Sequence, residues 1–471
     1  MMGLYGTLNL GTRALQAHSQ GMSVAGQNLA NVNNPAYTRQ RVLLQTSAAN
    51  GLQGTGVSAV AIQRVHSALL DRQIQGETSV SGFWSAQQNA FQSAQTNLGE
   101  SLNSSVSGAN GTGASIGLGA QSTLAADLDA LFNEFQNLAA TPGSLSQRAV
   151  LLNKAQNLAA QFNQTDARLA SLNANLNEAV TTDTAQATEL LKSVAHLNEQ
   201  IRRAEAGGNG SANDLRDLRQ QKLESLAGLT NLETSEDPDG QVNVSIGGNL
   251  LVSGQQVLAT LETYDAGGGQ QRVRTSTGTA IALTGGSLQG TIDARDGALA
   301  TLRGGLNTLA STLATEVNTV HRAGFNLSGG TGADFFTGTS AGTLRVNAAL
   351  VGNPALLQAS GSATAAGNNQ TALALASLAD QPFAALGGQT FTASYARSVT
   401  SLGESLATAN GHVEDQQLVA GMLQRQRSSV SGVSIDEEMT DLVKFQKAFQ
   451  AAARIISTVD EMLNEVINMK R

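Results

Sequence analysis

Cysteine is absent from this chain of 471 residues. Its absence excludes disulfide bonds, thiolate nucleophiles and cysteine-ligated metals. Charged residues make up only 14 % of the chain, against roughly 25 % in ordinary soluble domains. Polar uncharged side chains, which cost less to desolvate than ions do, take their place. This composition favours extensive packing between protein surfaces.

Other missing features exclude two classes of partner. The net charge is −8 and no cluster of lysine and arginine occurs, so the basic face that nucleic-acid binding needs is lacking. No run of about 18 apolar residues is present, and we therefore expect no membrane insertion. The N-terminus has no basic leader before Arg13. We expect that an exported form leaves without a cleaved signal peptide.

Catalytic chemistry has no convincing candidate in the sequence. The five histidines lie far apart, and His18 is expected to tuck against an apolar helix face. Residues 338–342 match the G-x-S-x-G pattern, but their flanks lack the hydrophobic strand and the helix that a nucleophile elbow needs. We predict no catalytic residue, no cofactor and no metal site, and hence no enzyme.

Two apolar stripes, one near each end of the chain, form the strongest pattern. Both repeat at alternating spacings of four and three residues, which places them on one face of a helix. The first consists of Leu4, Leu8, Leu15, Met22, Ala25, Leu29 and Val32, with Gly11 and His18 in the intervening positions. The second consists of Ile435, Met439, Leu442, Phe445, Phe449, Ala452, Ile456, Val459, Leu463 and Val466. We predict that the helices pair in a coiled-coil-like manner and pack against copies of the chain. The alternative is an ordinary two-helix core inside one monomer.

Glycine weakens the first of these helices. Five glycines lie in it, at Gly3, Gly6, Gly11, Gly21 and Gly26, and each costs up to about 1 kcal/mol relative to alanine in a helix interior. We expect this helix to be poorly held in the free subunit and to be ordered by its neighbours on assembly.

The chain between the stripes divides into helical and β segments. The predicted fold class is mainly α with an inserted β domain (α+β): paired terminal helices, a helical rod-like middle domain and a small outer β domain. A long helix is predicted over residues 146–206, a turn at 237–240, a strand at 242–246 and further strands to about residue 292. Helix resumes at about residue 297. The predicted segments are 1–66 (assembly helix and extended arm), 67–229 (helical), 230–295 (β), 296–430 (helical, with loop-rich 325–370) and 431–471 (assembly helix).

Short motifs at both ends resemble a known superfamily. Residues 28–40 read N-L-A-N-V-N-N-P-A-Y-T-R-Q, and the positions that carry the motif are Asn28, Ala30, Asn31, Asn33, Pro35, Tyr37, Arg39 and Gln40. This segment resembles the N-terminal signature of bacterial flagellar rod, hook and hook-associated proteins. Residues 431–438, 445–454 and 460–463 are similar to the C-terminal helix of the same superfamily. Ser434 and Glu437 also have the spacing of a capping box.

The interior, over residues 124–206 and 321–325, resembles the hook-associated branch that forms the hook–filament junction. The resemblance implies a structural subunit that is exported unfolded by the flagellar type III apparatus and assembles through its terminal helices. The partners it implies are other copies in a ring, the hook subunit, the second junction protein and a cytoplasmic export chaperone on the C-terminal helix. It implies an extracellular location at the junction. Another axial subunit (hook or distal rod) and a non-flagellar secreted helical protein remain as alternatives.

Overall fold

The computed structural model describes residues 3–46, 56–98, 124–206 and 211–469. Its helices are α1 Leu4–Ala30, α2 Ala68–Leu98, α3 Leu124–Ala140, α4 Leu145–Glu205, α5 Asn213–Leu229, α6 Gly286–Ala294, α7 Ala300–Ala323, α8 Ala348–Gly352, α9 Gln370–Ser377, α10 Phe391–Ser431 and α11 Ile435–Asn468. Its strands are β1 Gln40–Thr46, β2 Val57–Arg64, β3 Leu232–Glu236, β4 Val242–Ile246, β5 Asn249–Ser253, β6 Gln256–Val257, β7 Leu261–Asp265, β8 Gln271–Thr275, β9 Phe336–Thr337 and β10 Arg345–Val346. The mainly α class with a small β portion is confirmed.

Helix α4 is 61 residues long and organises the body of the protein. It begins just after the Pro142-Gly143 break, where Ser144 occupies the N-cap position. The Ser144 hydroxyl oxygen accepts a hydrogen bond from the Gln147 backbone N–H at 3.2 Å, which satisfies one of the free amides of the first turn. Buried residues recur from Leu151 to Ile201. This single helix therefore joins two hydrophobic clusters.

The first cluster packs α2, α3, α7, α9 and α10 around the N-terminal half of α4. Aromatic rings fill its centre, where Phe132 stacks on Phe391 with 5.6 Å between ring centroids. The second cluster lies around the C-terminal half of α4 and includes α5, α6 and the inner faces of β4, β5, β7 and β8. The β strands thus share a core with helices.

The strands form antiparallel sheets, the largest in the order β3-β4-β5-β6. Strand β4 coincides with the prediction for residues 242–246, and its alternate residues Val242, Val244 and Ile246 are buried. The predicted turn at 237–240 precedes it. Gly240 there has φ +72°, a left-handed conformation that favours glycine.

The prediction of further strands up to residue 292 is wrong. The last strand of this segment, β8, ends at Thr275, and α6 begins at Gly286 and continues through a π-helical turn, Arg295–Leu299, into α7. Leu288 and Ile292 are buried at helical spacing. Gly290 lets α6 approach α2 closely, since a Cβ at this position would lie 2.2 Å from the Phe83 carbonyl oxygen. The helix therefore starts before the predicted residue 297.

The two ends of the chain form a separate unit. Helices α1 and α11 pack against each other, and α1 also packs on the hairpin formed by β1 and β2. Gln40 faces Arg64 in that hairpin, in a segment for which the sequence predicts a strand or an extended arm. Neither hydrophobic cluster contains a residue of α1 or α11. The terminal helix pair therefore lies outside the core of the body.

Candidate assembly surface

Helices α1 and α11 run antiparallel. Gly11 lies against Ile456, and the Asn28 side chain bonds to that of Glu438. Residue numbers therefore rise along one helix as they fall along the other. The predicted pairing of the terminal helices is present within a single chain.

Two glycines let the helices come close together. A Cβ on Gly21 would lie 2.7 Å from the Phe445 ring, and a Cβ on Gly11 would lie 2.8 Å from Cγ1 of Ile456. Gly26 has no such neighbour within 4 Å. From the sequence these glycines indicate only a weakness of α1, but at two positions they are contact points of the pair.

The first predicted stripe is partly covered. Ala25 is buried, while Leu4, Leu8, Leu15, Met22, Leu29 and Val32 are half-buried. The buried residues of α1 also include Ala17 and Val24, which the single-face prediction missed. They are buried because α1 packs on the β1–β2 hairpin as well as on α11. One helical wheel cannot distinguish two contact faces from one.

The second predicted stripe is covered only over its middle. Ala452 and Val459 are buried, and Leu442, Phe445, Phe449, Ile456 and Leu463 are half-buried. By contrast, Ile435, Met439 and Val466 are exposed, so α1 does not cover them, and their place in an assembly seam stays a prediction. The antiparallel register explains two of them, because Ile435 and Val466 lie beyond the ends of α1.

A further apolar stripe on α11 is uncovered. Ile455, Met462 and Val466 repeat at spacings of seven and four, and their exposed fractions are 41 %, 45 % and 55 %. We call these three residues the exposed stripe. It lies beside the face that α1 covers, so α11 is apolar over a wider arc than one partner helix can bury. Such a face is typical of a surface that packs against another protein.

Asn28 explains the motif that precedes β1. Its side chain is 1 % exposed. Its amide nitrogen donates to the Gln40 carbonyl oxygen and to Glu438 Oε2, each at 2.8 Å. Its carbonyl oxygen accepts from Gln40 N–H at 3.0 Å and from the Tyr37 hydroxyl at 2.8 Å. Both donors and both lone pairs of the amide are thus used, which no other side chain of similar size can do.

The rest of the motif shapes the loop after α1. Asn31 is the C-cap, and its side-chain nitrogen donates to the Gln27 carbonyl oxygen at 3.0 Å. Asn34 accepts from the Ala36 N–H at 3.1 Å, an Asx turn around Pro35. Ala30, Asn33 and Pro35 are exposed.

Arg39 connects this loop to the start of α11. Its Nη1 lies 2.6 Å from Glu437 Oε2, and its Nε lies 2.7 Å from Glu438 Oε1. Ser434 occupies the N-cap position of α11, but its side chain makes no capping hydrogen bond. The predicted capping box is therefore not formed. Glu437 pairs with Arg39 instead. The acidic residues of the first turn still interact favourably with the positive end of the helix dipole.

The Tyr37 hydroxyl stays protonated in this setting. Burial raises the pKa of Tyr37 well above its ordinary value, and the negative charges of Asp214, Asp217 and Glu438 raise it further. The hydroxyl therefore acts as a donor to Asn28.

Histidine and serine candidates take structural positions. His18 is half-buried in the seam, with its ring centroid 6.2 Å from that of Phe445. Ser340 lies in the turn between β9 and β10, not at a strand-to-helix elbow, and its hydroxyl is 2.8 Å from that of Thr343. No group of His, Asp and Glu residues suited to a metal ion occurs in the part of the chain that the structure describes. Within the same residues, no helix has the length and hydropathy needed to cross a membrane.

Comparison with known protein families covers the body and the C-terminal end separately. The family model described as flagellar hook-associated protein FlgK helical domain matches residues 115–336. The model described as flagellar basal body rod FlgEFG protein C-terminal matches residues 424–469, which include α11.

Individual relatives extend over nearly the whole chain. Flagellar hook-associated protein 1 of Bacillus subtilis (strain 168) is 25 % identical over 514 residues, covering 98 % of this chain and 97 % of that protein. Flagellar hook-associated protein 1 of Escherichia coli (strain K12) is 25 % identical over 564 residues, covering 98 % and 99 %. The structure of the flagellar hook junction protein FlgK from Burkholderia pseudomallei superposes with a TM-score of 0.63 at 15 % identity, covering 76 % of this chain and all of that one. The two chains share a fold.

Proposed function

The chain belongs to the flagellar hook-associated protein 1 family, and from this premise we propose that it is a structural subunit of the bacterial flagellum at the junction between hook and filament. Its role is to pack with other subunits, and it carries out no chemical reaction. Its terminal helix pair forms the assembly surface, and the body of α2–α10 stands outside that surface.

The exposed stripe on α11 is the observation that supports this proposal best. Burial of apolar side chains in a new interface is favourable by about 25 cal/mol per Å² removed from water. Ile455, Met462 and Val466 offer such area on a helix of 34 residues, and their spacing suits packing against another helix. Because the body core includes neither α1 nor α11, the pair can repack on assembly without disturbing that core.

Further partners follow from the family. We propose that copies of the chain form a ring that contacts the hook subunit on one side and the second junction protein on the other. Export occurs in an unfolded state, after a cytoplasmic chaperone has held α11. The weak burial of α11, in which only Glu438, Ala452 and Val459 are buried, is compatible with unfolding before export.

Substitution within the exposed stripe tests the proposal. Ile455→Asp places a charge on the exposed stripe, whereas Gln450→Asp places the same charge on an exposed position of α11 away from it. We expect the thermal unfolding midpoint of the monomer to be unchanged in both variants, since neither residue is in a core cluster. Only Ile455→Asp should be lost from purified flagella and should reduce motility. Equal incorporation of the two variants would show that this stripe is not an assembly contact.

The alternative position, in the hook or distal rod, is favoured by similarity at the C-terminal end of the chain. Residues 424–469 match a model of rod proteins, so α11 does not distinguish the classes. The hook-associated helical domain over residues 115–336 favours the junction. Localisation of the protein along the flagellum separates the two.

A further inference from the structure

The terminal helix pair has a narrow attachment to the body. In the described part of the chain, neither α1 nor α11 packs along any of α2–α10. Two short connections join the units covalently: residues 65–67 lead from β2 to α2, and residues 432–434 lead from α10 to α11. Whatever fixes the orientation of the pair must therefore lie near these connections.

Residues 37–40, which we call the hinge strip, lie at this place. They lead into β1, which begins at Gln40, and their side chains alternate between two sets of contacts. On one side, Tyr37 and Arg39 contact the helix pair: the Tyr37 hydroxyl donates to Asn28, and Arg39 pairs with Glu438. The Arg39 N–H also donates to the Ser431 carbonyl oxygen at 2.9 Å, at the end of α10.

The other side of the hinge strip contacts the body. Thr38 and Gln40 both face α5 and both are buried. Gln40 Nε2 donates to Asp214 Oδ1 at 2.9 Å, and Asn213 Nδ2 donates to Gln40 Oε1 at 3.2 Å. The alternation of side chains thus divides four residues between two units of the protein.

Asp217 on α5 is the central acceptor on the body side. It is 6 % exposed and accepts three hydrogen bonds. Thr38 N–H donates to Oδ2 at 2.9 Å, while the Thr38 hydroxyl and Arg64 Nη1 each donate to Oδ1 at 2.7 Å. A cavity of about 370 Å³ lined by Arg64, His66 and other mainly polar residues lies beside this contact. Directional hydrogen bonds, rather than apolar packing, therefore hold the joint.

We propose that the hinge strip fixes the orientation of the terminal helix pair on the body, and that Asp217 is the positioning residue through which it does so. Hydrogen bonds to a charged acceptor require a defined geometry, so this carboxylate can fix the angle between the helix pair and the body better than an apolar contact could. The hinge strip acts in this way in the free subunit, whatever the place of the protein in the flagellum.

Asp217→Asn should release the joint while leaving the helix pair intact. An asparagine has the same shape, but its amide nitrogen cannot accept from Thr38 N–H or from Arg64. Asn28, Arg39 and Glu438, which hold the pair together, are not changed. Thr38→Val is a milder variant that removes one hydrogen bond and keeps the Asp217–Arg64 ion pair.

Pulsed electron spin resonance can measure the orientation directly, because the chain has no native cysteine and two labels can be placed freely. One pair, Ser457→Cys with Lys192→Cys, reports from α11 to α4. A second pair, Gln20→Cys with Ser457→Cys, reports within the helix pair. All three substitutions use exposed positions. Asp166→Asn is the matched control, since Asp166 pairs with Arg303 at 2.8 Å within the body.

We expect Asp217→Asn to broaden the α11–α4 distance distribution at least twofold and Thr38→Val to broaden it less, with the distribution within the helix pair unchanged. Unchanged α11–α4 widths in both variants would overturn the inference. Equal broadening in Asp166→Asn, or broadening within the pair, would also overturn it. Fluorescence of Trp84, the single tryptophan, reports whether each variant folds, and Thr38→Val decides the question if Asp217→Asn does not fold.

Discussion

Replacing Gly21 by alanine should loosen the helix pair, whereas the same change at Gly26 should tighten it. Both glycines lie within α1. Each replacement strengthens the isolated helix by up to about 1 kcal/mol. At Gly26 the new methyl group meets open space, but at Gly21 it would lie 2.7 Å from the Phe445 ring. Overpacking of this kind costs roughly 1–3 kcal/mol, which exceeds the gain in helix propensity.

The two variants should therefore differ by about 2 kcal/mol in the free energy of opening α1, a ratio of roughly 30 in equilibrium constant. Amide hydrogen exchange of the monomer measures this opening directly. We expect the amides of α1 to exchange more slowly than wild type in Gly26→Ala and faster in Gly21→Ala, with the amides of α4 unchanged in both. Slower exchange in both variants would mean that Gly21 is not a contact point, and would refute the close-approach argument.

Two further predictions concern buried polar groups. Asn28→Ala removes the hydrogen bonds of Asn28 to Glu438 and Tyr37 and should lower the stability of this region by roughly 2 kcal/mol, which faster amide exchange over residues 28–40 would show. Asn33→Ala, at an exposed position, should leave this exchange unchanged. Equal effects of the two variants would contradict the hydrogen-bond network. The His321 ring donates from Nδ1 to the Ala333 carbonyl oxygen and accepts at Nε2 from the Gln358 N–H, and burial lowers its pKa from 6.5 to about 4. As the pH falls, the unfolded chain therefore binds the proton before the folded chain does. The contribution of His321 to the free energy of unfolding, up to roughly 3 kcal/mol, is full above pH 6.5 and is lost between pH 6.5 and 4. Unfolding midpoints of the wild type and His321→Gln across this window should show a flatter pH dependence in the variant; parallel curves would count against a neutral, buried His321.

Local signals in the sequence were sufficient for much of the fold. Pro142 and Gly143 mark the break before α4, and the turn before β4 follows from residues 237–240. These features depend on neighbours within a few residues, so a single sequence contains them. The prediction failed at α6, where Gly290 is required by the approach of Phe83 from a distant helix. The residues near Gly290 in the sequence do not indicate that contact.

The candidate site was predictable in type but not in detail. Periodicity indicated apolar faces on both terminal helices, because the spacing is local. Which residues are covered depends on the register between segments that lie some 400 positions apart, as Asn28 and Glu438 do. The sequence therefore could not show that α1 leaves Ile435 and Val466 uncovered. The role of Asp217 left no signal in the sequence, since an aspartate on a polar helix gives the same pattern whether its carboxylate contacts water or Thr38.

Immunogold electron microscopy of intact flagella from the native bacterium would show where the protein lies. We expect label confined to one narrow band where the hook meets the filament. Label along the whole hook or at the rod would assign the protein to another axial position. The absence of label from the flagellum would contradict the proposed function altogether.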